Sequence, residues 1–148
     1  SSNKIYMSTQ CGFYEYDGTN IIIQFSGFNN FYYVSDTKMY LFGIYGLYKY
    51  DNGELIQLSI YGNDKFYYVS DTEMYLYGRY GLYRYDGTNT IKLSSSRIDT
   101  IYYLNKYLIY MLIDGMFVKY NIPFDHINLS FIFKHNDIVI NKYKKNHN

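Results

Sequence analysis

The side chains in this sequence that most often do chemistry are few, and their spacing favours no catalytic or zinc site. The three histidines lie at positions 126, 135 and 147, without the further close His or Cys ligands that complete a zinc site. The single cysteine, Cys11, has no basic neighbour in sequence that would activate it as a nucleophile. Nucleophile-elbow, phosphate-loop, dinucleotide and zinc-protease motifs are absent from the sequence. We therefore expect a protein that is not an enzyme and has no cofactor.

Oxygen-bearing side chains recur more regularly than the histidines do. One such position comes two residues before each of four apolar runs, and it holds Asn29, Asp64, Asp99 and Asn136. If the four runs are strands around an axis, these side chains would ring one mouth of a channel, where they could hold Ca²⁺ or Na⁺. The competing interpretation is that each side chain caps its own loop. Two carboxylates among four ligands favour the capping interpretation over the cation.

Aromatic, arginine and asparagine side chains are concentrated in the predicted turns. The candidate binding residues are Tyr45, Tyr61, Asn63, Arg79, Tyr80 and Arg97. Exposed Tyr, Arg and Asn are typical of a binding surface, because rigid amphipathic rings give contact area at low entropic cost. We therefore expect a non-catalytic module that binds another protein. The alternative is a small ligand or glycan bound, as in a lectin, between blades or at the channel mouth.

An internal repeat positions these residues. Residues 31–59 and 66–94 are identical at 20 of 29 positions. A degenerate copy follows, and a partial copy precedes them. Each full unit divides into four short apolar runs separated by Gly, Asn and Asp. Such runs predict antiparallel strands joined by tight turns, with almost no helix.

The strand count predicts a closed ring. The chain begins in the second strand of its first unit, and an extra first-strand-like segment, residues 138–143, follows the last unit. We therefore predict an all-β, four-bladed propeller in a single domain, 1–148, closed by the C-terminal strand pairing into the first blade. The first blade would combine residues 5–26 with 138–143. The others would be residues 31–59, 66–94 and 101–130.

Other architectures remain open at this point. A β-trefoil has a suitable length but needs three units rather than four. An eight-bladed ring made of two chains, a fragment of a longer propeller and a ragged boundary that closes no ring also remain. The chain is accordingly expected to be a monomer or a homodimer.

The turn motif carries a family resemblance. Gly46-Leu47-Tyr48-Lys49-Tyr50-Asp51 recurs as residues 81–86, followed by Gly87, and in a Phe-containing form at residues 12–18. This pattern resembles the blade repeat of two-component-regulator-type propellers. The usual Trp of the second strand is replaced here by Tyr40 and Tyr75. The resemblance implies a propeller that senses a ligand or contacts a protein.

Composition excludes several classes of function. The formal charge is +1, from 14 Lys+Arg and 13 Asp+Glu, which gives no electrostatic basis for binding nucleic acid or an anionic membrane. Aromatic residues make up 22% of the chain, which argues against disorder. A lone cysteine and no recognisable signal peptide or transmembrane segment slightly favour the cytoplasm without deciding the compartment.

Overall fold

The computed structural model describes residues 4–122 of this chain as an all-β structure of 14 strands, with no helix among them. The strands form four antiparallel sheets in chain order. Sheet 1 contains β1 Ile5–Thr9, β2 Gly12–Tyr16 and β3 Ile21–Ser26. Sheet 2 contains β4 Phe28–Ser35, β5 Lys38–Gly43, β6 Gly46–Asp51 and β7 Glu54–Ser59. Sheet 3 contains β8 Lys65–Ser70, β9 Glu73–Gly78, β10 Gly81–Tyr85 and β11 Thr90–Ser94, and sheet 4 contains β12 Thr100–Asn105, β13 Leu108–Ile113 and β14 Met116–Asn121.

The glycine that opens the repeated Gly-Leu-Tyr motif is required by the sheet itself. Gly46 and Gly81 have φ values of 108° and 103°, in the region that disfavours side chains. A Cβ atom at Gly46 would collide with the carbonyl oxygen of Ser59, and one at Gly81 with that of Ser94. These glycines therefore allow the fourth strand of each full sheet to approach the third.

Successive sheets pack on one another through their opposite faces. We call the face that packs on the following sheet the forward face, and the other one the backward face. In β5, Met39 and Leu41 point back into a core shared with sheet 1, whereas Tyr40 and Phe42 point forward into a core shared with sheet 3. A third core joins the forward face of sheet 3 to sheet 4. The period of two along each strand therefore gives every full sheet two buried faces.

The repeat is an accurate guide to which residue occupies which place. Met74 and Leu76 on the backward face of β9 are fully buried, as are Met39 and Leu41 in β5. The first strands of neighbouring sheets also meet, because the Tyr32 and Tyr68 rings stack with their centroids 4.1 Å apart. Sheets 2 and 3 are thus two copies of one unit, in packing as well as in sequence.

The structure confirms the all-β class and the division into repeated antiparallel sheets. Four strands were predicted for each complete unit, and sheets 2 and 3 have them. Within the described residues, sheets 1 and 4 have three strands each, and no sheet closes on itself. The predicted strand 138–143 and the end of the predicted fourth blade lie outside the residues that the structure describes.

Candidate functional site

Three loops meet at one end of sheets 2 and 3. They are the β5–β6 turn, the β7–β8 loop and the β9–β10 turn. Their outermost side chains, which together we call the turn surface, are Ile44, Tyr45, Ile60, Tyr61, Arg79 and Tyr80. Ile44 is 72% exposed, Ile60 73% and Tyr80 58%. This exposure is unusual for large apolar side chains that lie side by side.

The β7–β8 loop is held beneath this surface by Asn63. The Asn63 side chain is buried, and its Nδ2 donates a hydrogen bond of 3.2 Å to the carbonyl oxygen of Gly81. Its Oδ1 accepts the backbone N–H of Asp64 at 3.0 Å. Asn63, predicted as a binding residue, therefore lies under the turn surface and fixes the loop against the next sheet.

Asp64 orients the one charged group of the turn surface. Its carboxylate accepts the backbone N–H of Arg79 at 2.8 Å and the Arg79 Nε–H at 3.0 Å. The guanidinium group lies over the Tyr80 ring, 5.8 Å from its centroid. The Arg79 side chain is nevertheless 63% exposed. The cation is therefore held in one direction while its terminal N–H groups face solvent.

A cleft of about 210 Å³ opens between the two turns. Its lining residues are Ile44, Gly62, Asn63, Asp64, Arg79 and Tyr80. An apolar side chain thus faces an aromatic one across a floor that carries an ion pair. This combination suits a partner side chain with an apolar body and a polar tip.

The other two tyrosines of the turn surface are fixed by ring contacts. Tyr61 stacks on Tyr83, with centroids 5.0 Å apart and planes 19° apart. Tyr45 lies against Gly27, where a Cβ would collide with its ring, and makes an edge contact of 6.3 Å with Phe28. Phe28 itself is buried. Both tyrosines remain exposed, so they are held in place before any partner binds.

The oxygen donors that were predicted to ring a channel mouth each have a local partner where the structure describes them. Asp99 accepts the backbone N–H of Asp114 at 3.1 Å, which repeats the bond between Asp64 and the backbone of Arg79. Asn29 is exposed and accepts a bond from Asn30, and Asn136 lies outside the described residues. Across residues 4–122, no three His, Cys, Asp or Glu side chains form a group that could hold a metal ion. Asp64 and Asp99 therefore each accept an N–H of a neighbouring turn, and the four-residue cation site stays a prediction.

The sequence predicted part of the turn surface and missed part of it. Arg97 is exposed on the β11–β12 loop, and the next residue ties that loop to β9 through a bond of 2.9 Å from the Ile98 N–H to the Gly78 oxygen. Ile44 and Ile60 were not predicted as site residues. Each directly precedes a turn tyrosine in sequence, and an apolar residue at such a turn was the available signal.

No protein-family model, no curated protein and no solved structure matched this chain. The part of the chain that the structure describes has no helix that could cross a membrane.

Proposed function

We propose that this protein is a non-catalytic binding module that contacts another protein through the turn surface. The observation that carries the proposal is the set of exposed apolar and aromatic side chains around a fixed arginine. Tyrosine and arginine are enriched among the residues that contribute most to binding between proteins. Because the rings and the guanidinium are held before binding, ordering them on association costs little entropy.

We further propose that the four sheets are propeller blades and that residues 138–143 add the missing fourth strand to sheet 1. Sheets that follow one another in chain order, forward face on backward face, support this arrangement. The contact between the first strands of successive sheets supports an axis beside those strands. The resemblance of the Gly-Leu-Tyr motif to two-component-regulator-type repeats supports it as well.

The binding proposal is tested with a matched pair of variants. Tagged chain is used to capture proteins from an extract of the source cells, and each captured protein is then purified and titrated by calorimetry. We expect Arg79→Ala/Tyr80→Ala to weaken binding at least tenfold, as loss of a central aromatic and arginine pair does. The control, Thr37→Ala/Glu54→Ala, changes exposed residues at the opposite end of the strands and should bind like the wild type. If Arg79→Ala/Tyr80→Ala binds as tightly as the control and the wild type, the turn surface is not the binding site.

A second candidate function is glycan binding between blades. A cleft of about 350 Å³ between sheets 2 and 3 combines the Tyr61 ring with the polar side chains of Gln57, Ser59, Thr88 and Asn89. Sugars are bound by this combination of an aromatic face and hydrogen-bonding side chains. A glycan array followed by titration of each hit tests it, and Tyr61→Ala should abolish the binding. An array without hits would exclude this alternative.

A further inference from the structure

The end of the sheets opposite the turn surface carries a charged pair between sheets 2 and 3. Lys38 Nζ at the start of β5 lies 2.6 Å from Asp71 Oδ2 in the β8–β9 turn. The hydroxyl groups of Tyr40 and Tyr68 both donate to Asp71 Oδ1, each at 2.8 Å. Burial and the Asp71 carboxylate raise the pKa of Tyr68 to about 12 and also raise that of Tyr40. Both hydroxyls therefore remain protonated donors to the acid.

The same place between sheets 3 and 4 holds the opposite charges. In the repeat, Glu73 of β9 corresponds to Lys38, and Lys106 of the β12–β13 turn corresponds to Asp71. At this interface the acid therefore lies on the preceding sheet and the lysine on the following sheet, which is the reverse of the order between sheets 2 and 3. Burial lowers the pKa of Lys106, and the charge of Glu73 acts against that lowering. The two groups thus interact across the interface between these sheets.

Two tyrosine hydroxyls donate to the acid at this interface as well. Tyr75 and Tyr103, which correspond to Tyr40 and Tyr68, donate to Glu73 at 2.7 Å and 3.3 Å. Arg84, a buried cation opposite Tyr75 in the sheet, is a further charge near this cluster. Both interfaces are therefore built as one acid, one lysine and two tyrosine donors, with the sign of the pair reversed.

The interface between sheets 1 and 2 keeps the same order of charges, and there Lys4 Nζ also lies 3.9 Å from Oε2 of the buried Glu15 of its own sheet. Lys4 corresponds to Lys38 and Asp36 to Asp71. The Tyr33 hydroxyl donates to Asp36 at 2.8 Å, and Lys4 and Asp36 line one cleft with Tyr6 and Tyr33. The interface between sheets 3 and 4 is thus the one with reversed charges among the three that the described residues form.

We propose that these charged pairs form a recognition key that directs sheet 4 onto the forward face of sheet 3 and keeps it from the forward face of sheet 2. The proposal does not depend on the function proposed above. The apolar faces alone discriminate poorly, since β5 and β9 have the same Met and Leu on their backward faces. With the key, the forward face of sheet 3 places Glu73 against an acid, Asp36 or Asp71, if it meets sheet 2 or the sheet 3 of a second copy. The forward face of sheet 2 likewise places Lys38 against Lys106 if it meets sheet 4.

Near-identical neighbouring repeats need such a device because they can exchange partners during folding, within one chain or between two copies. A like-charged pair at a partly buried contact opposes the wrong arrangement without adding to the stability of the right one. Specificity here comes from the repulsion in mispaired sheets as much as from the attraction in the native pairs.

A charge-reversal cycle tests the pairing. Glu73→Lys and Lys106→Asp are made singly and together in the full chain, and unfolding is followed in urea. Each single change should lower the ratio of folded to unfolded protein about tenfold, from loss of one attraction and gain of one repulsion. The double variant should recover part of this loss, because it recreates the arrangement of Lys38, Asp71, Tyr40 and Tyr68 while the buried Arg84 stays near position 73. Additive losses would overturn the pairing.

Refolding tests the key itself. Glu73→Lys/Lys106→Asp gives all three interfaces the same charge order, so its mispaired sheets are no longer opposed. We expect refolding at rising protein concentration to give several-fold more exchanged oligomers than the wild type, as measured by size-exclusion chromatography with light scattering. Equal recovery of native protein would overturn the role in specificity. If a single variant at position 73 does not fold, the same cycle with Lys38→Glu and Asp71→Lys, at a more exposed pair, decides the question.

Discussion

The backward faces of sheets 1 and 2 have similar residues and opposite environments. Met39 and Leu41 on sheet 2 are both 0% exposed, whereas Ile5 and Met7, which occupy the same places on sheet 1, are 52% and 40% exposed. Sheet 2 is covered there by the forward face of sheet 1, and within the described residues no preceding sheet covers sheet 1. The amino-acid pattern thus marks a face for burial, and the neighbouring sheet determines whether burial occurs.

Sheet 4 shows the same contrast on its forward face. Phe117 is 68% exposed, whereas Leu47 and Leu82 at the same place in sheets 2 and 3 are 0% exposed. The open faces of sheets 1 and 4 are a backward face and a forward face. A forward face packs on a backward face at each of the three interfaces inside the molecule. In the proposed ring, the two open faces would cover each other in the same way.

The largest effect is expected from removing the proposed closing strand. Deletion of residues 138–148 should lower the free energy of unfolding by about 3 kcal/mol or more, because β1 would be left as an unpaired edge beside an uncovered face. Chemical denaturation and light scattering measure stability and aggregation together. A shortened chain that unfolds at the same denaturant concentration as the whole chain would contradict the closure.

Paired core truncations compare the buried and the open face directly. Leu41→Ala should lower the free energy of unfolding by about 3 kcal/mol, since it leaves a cavity in a fully buried core. If the ring closes as proposed, sheet 4 covers Met7, and Met7→Ala should cost about 2 kcal/mol. Urea unfolding of both variants provides the measurement. A loss below about 0.5 kcal/mol for Met7→Ala would mean that this face stays in solvent.

The glycine of the turn motif offers a smaller comparison between a full sheet and sheet 4. Gly81→Ala should cost about 2 kcal/mol, because it adds strain at a positive φ and a collision with the strand beside it. Met116 occupies the same place in sheet 4 and is exposed. Met116→Ala should therefore cost less than about 0.5 kcal/mol. Thermal unfolding compares the two, and a loss at Met116 equal to that at Gly81 would mean that the Met116 side chain is buried in the whole chain.

The sequence predicted the sheets well because the repeat and the period of two are local signals. Met39 to Phe42 alternate in type, and their copies thirty-five residues later do the same. It did not predict that Asn63 would be buried, since an asparagine beside a turn has the composition of a surface residue. It could not distinguish the open face of Met7 from the buried face of Leu41, because both are apolar and the difference lies in a neighbouring sheet. The charge reversal at Glu73 and Lys106 was readable in the aligned units, but its meaning depends on knowing that those positions face each other.

The smallest predicted effect is a pH dependence at the interface of the two full sheets. Lys38, and then the hydroxyls of Tyr40 and Tyr68, lower the pKa of Asp71 to about 2, against an opposing effect of burial. The carboxyl in the unfolded chain has a pKa of about 3.9. Asp71 therefore contributes stability that is fully present above about pH 4 and is lost as the pH falls toward 2. Because half of the carboxylate is exposed, solvent screening keeps this contribution below about 1 kcal/mol. Urea unfolding between pH 5 and pH 2 should show Asp71→Asn losing less stability than the wild type over this range, and parallel pH profiles would contradict the prediction.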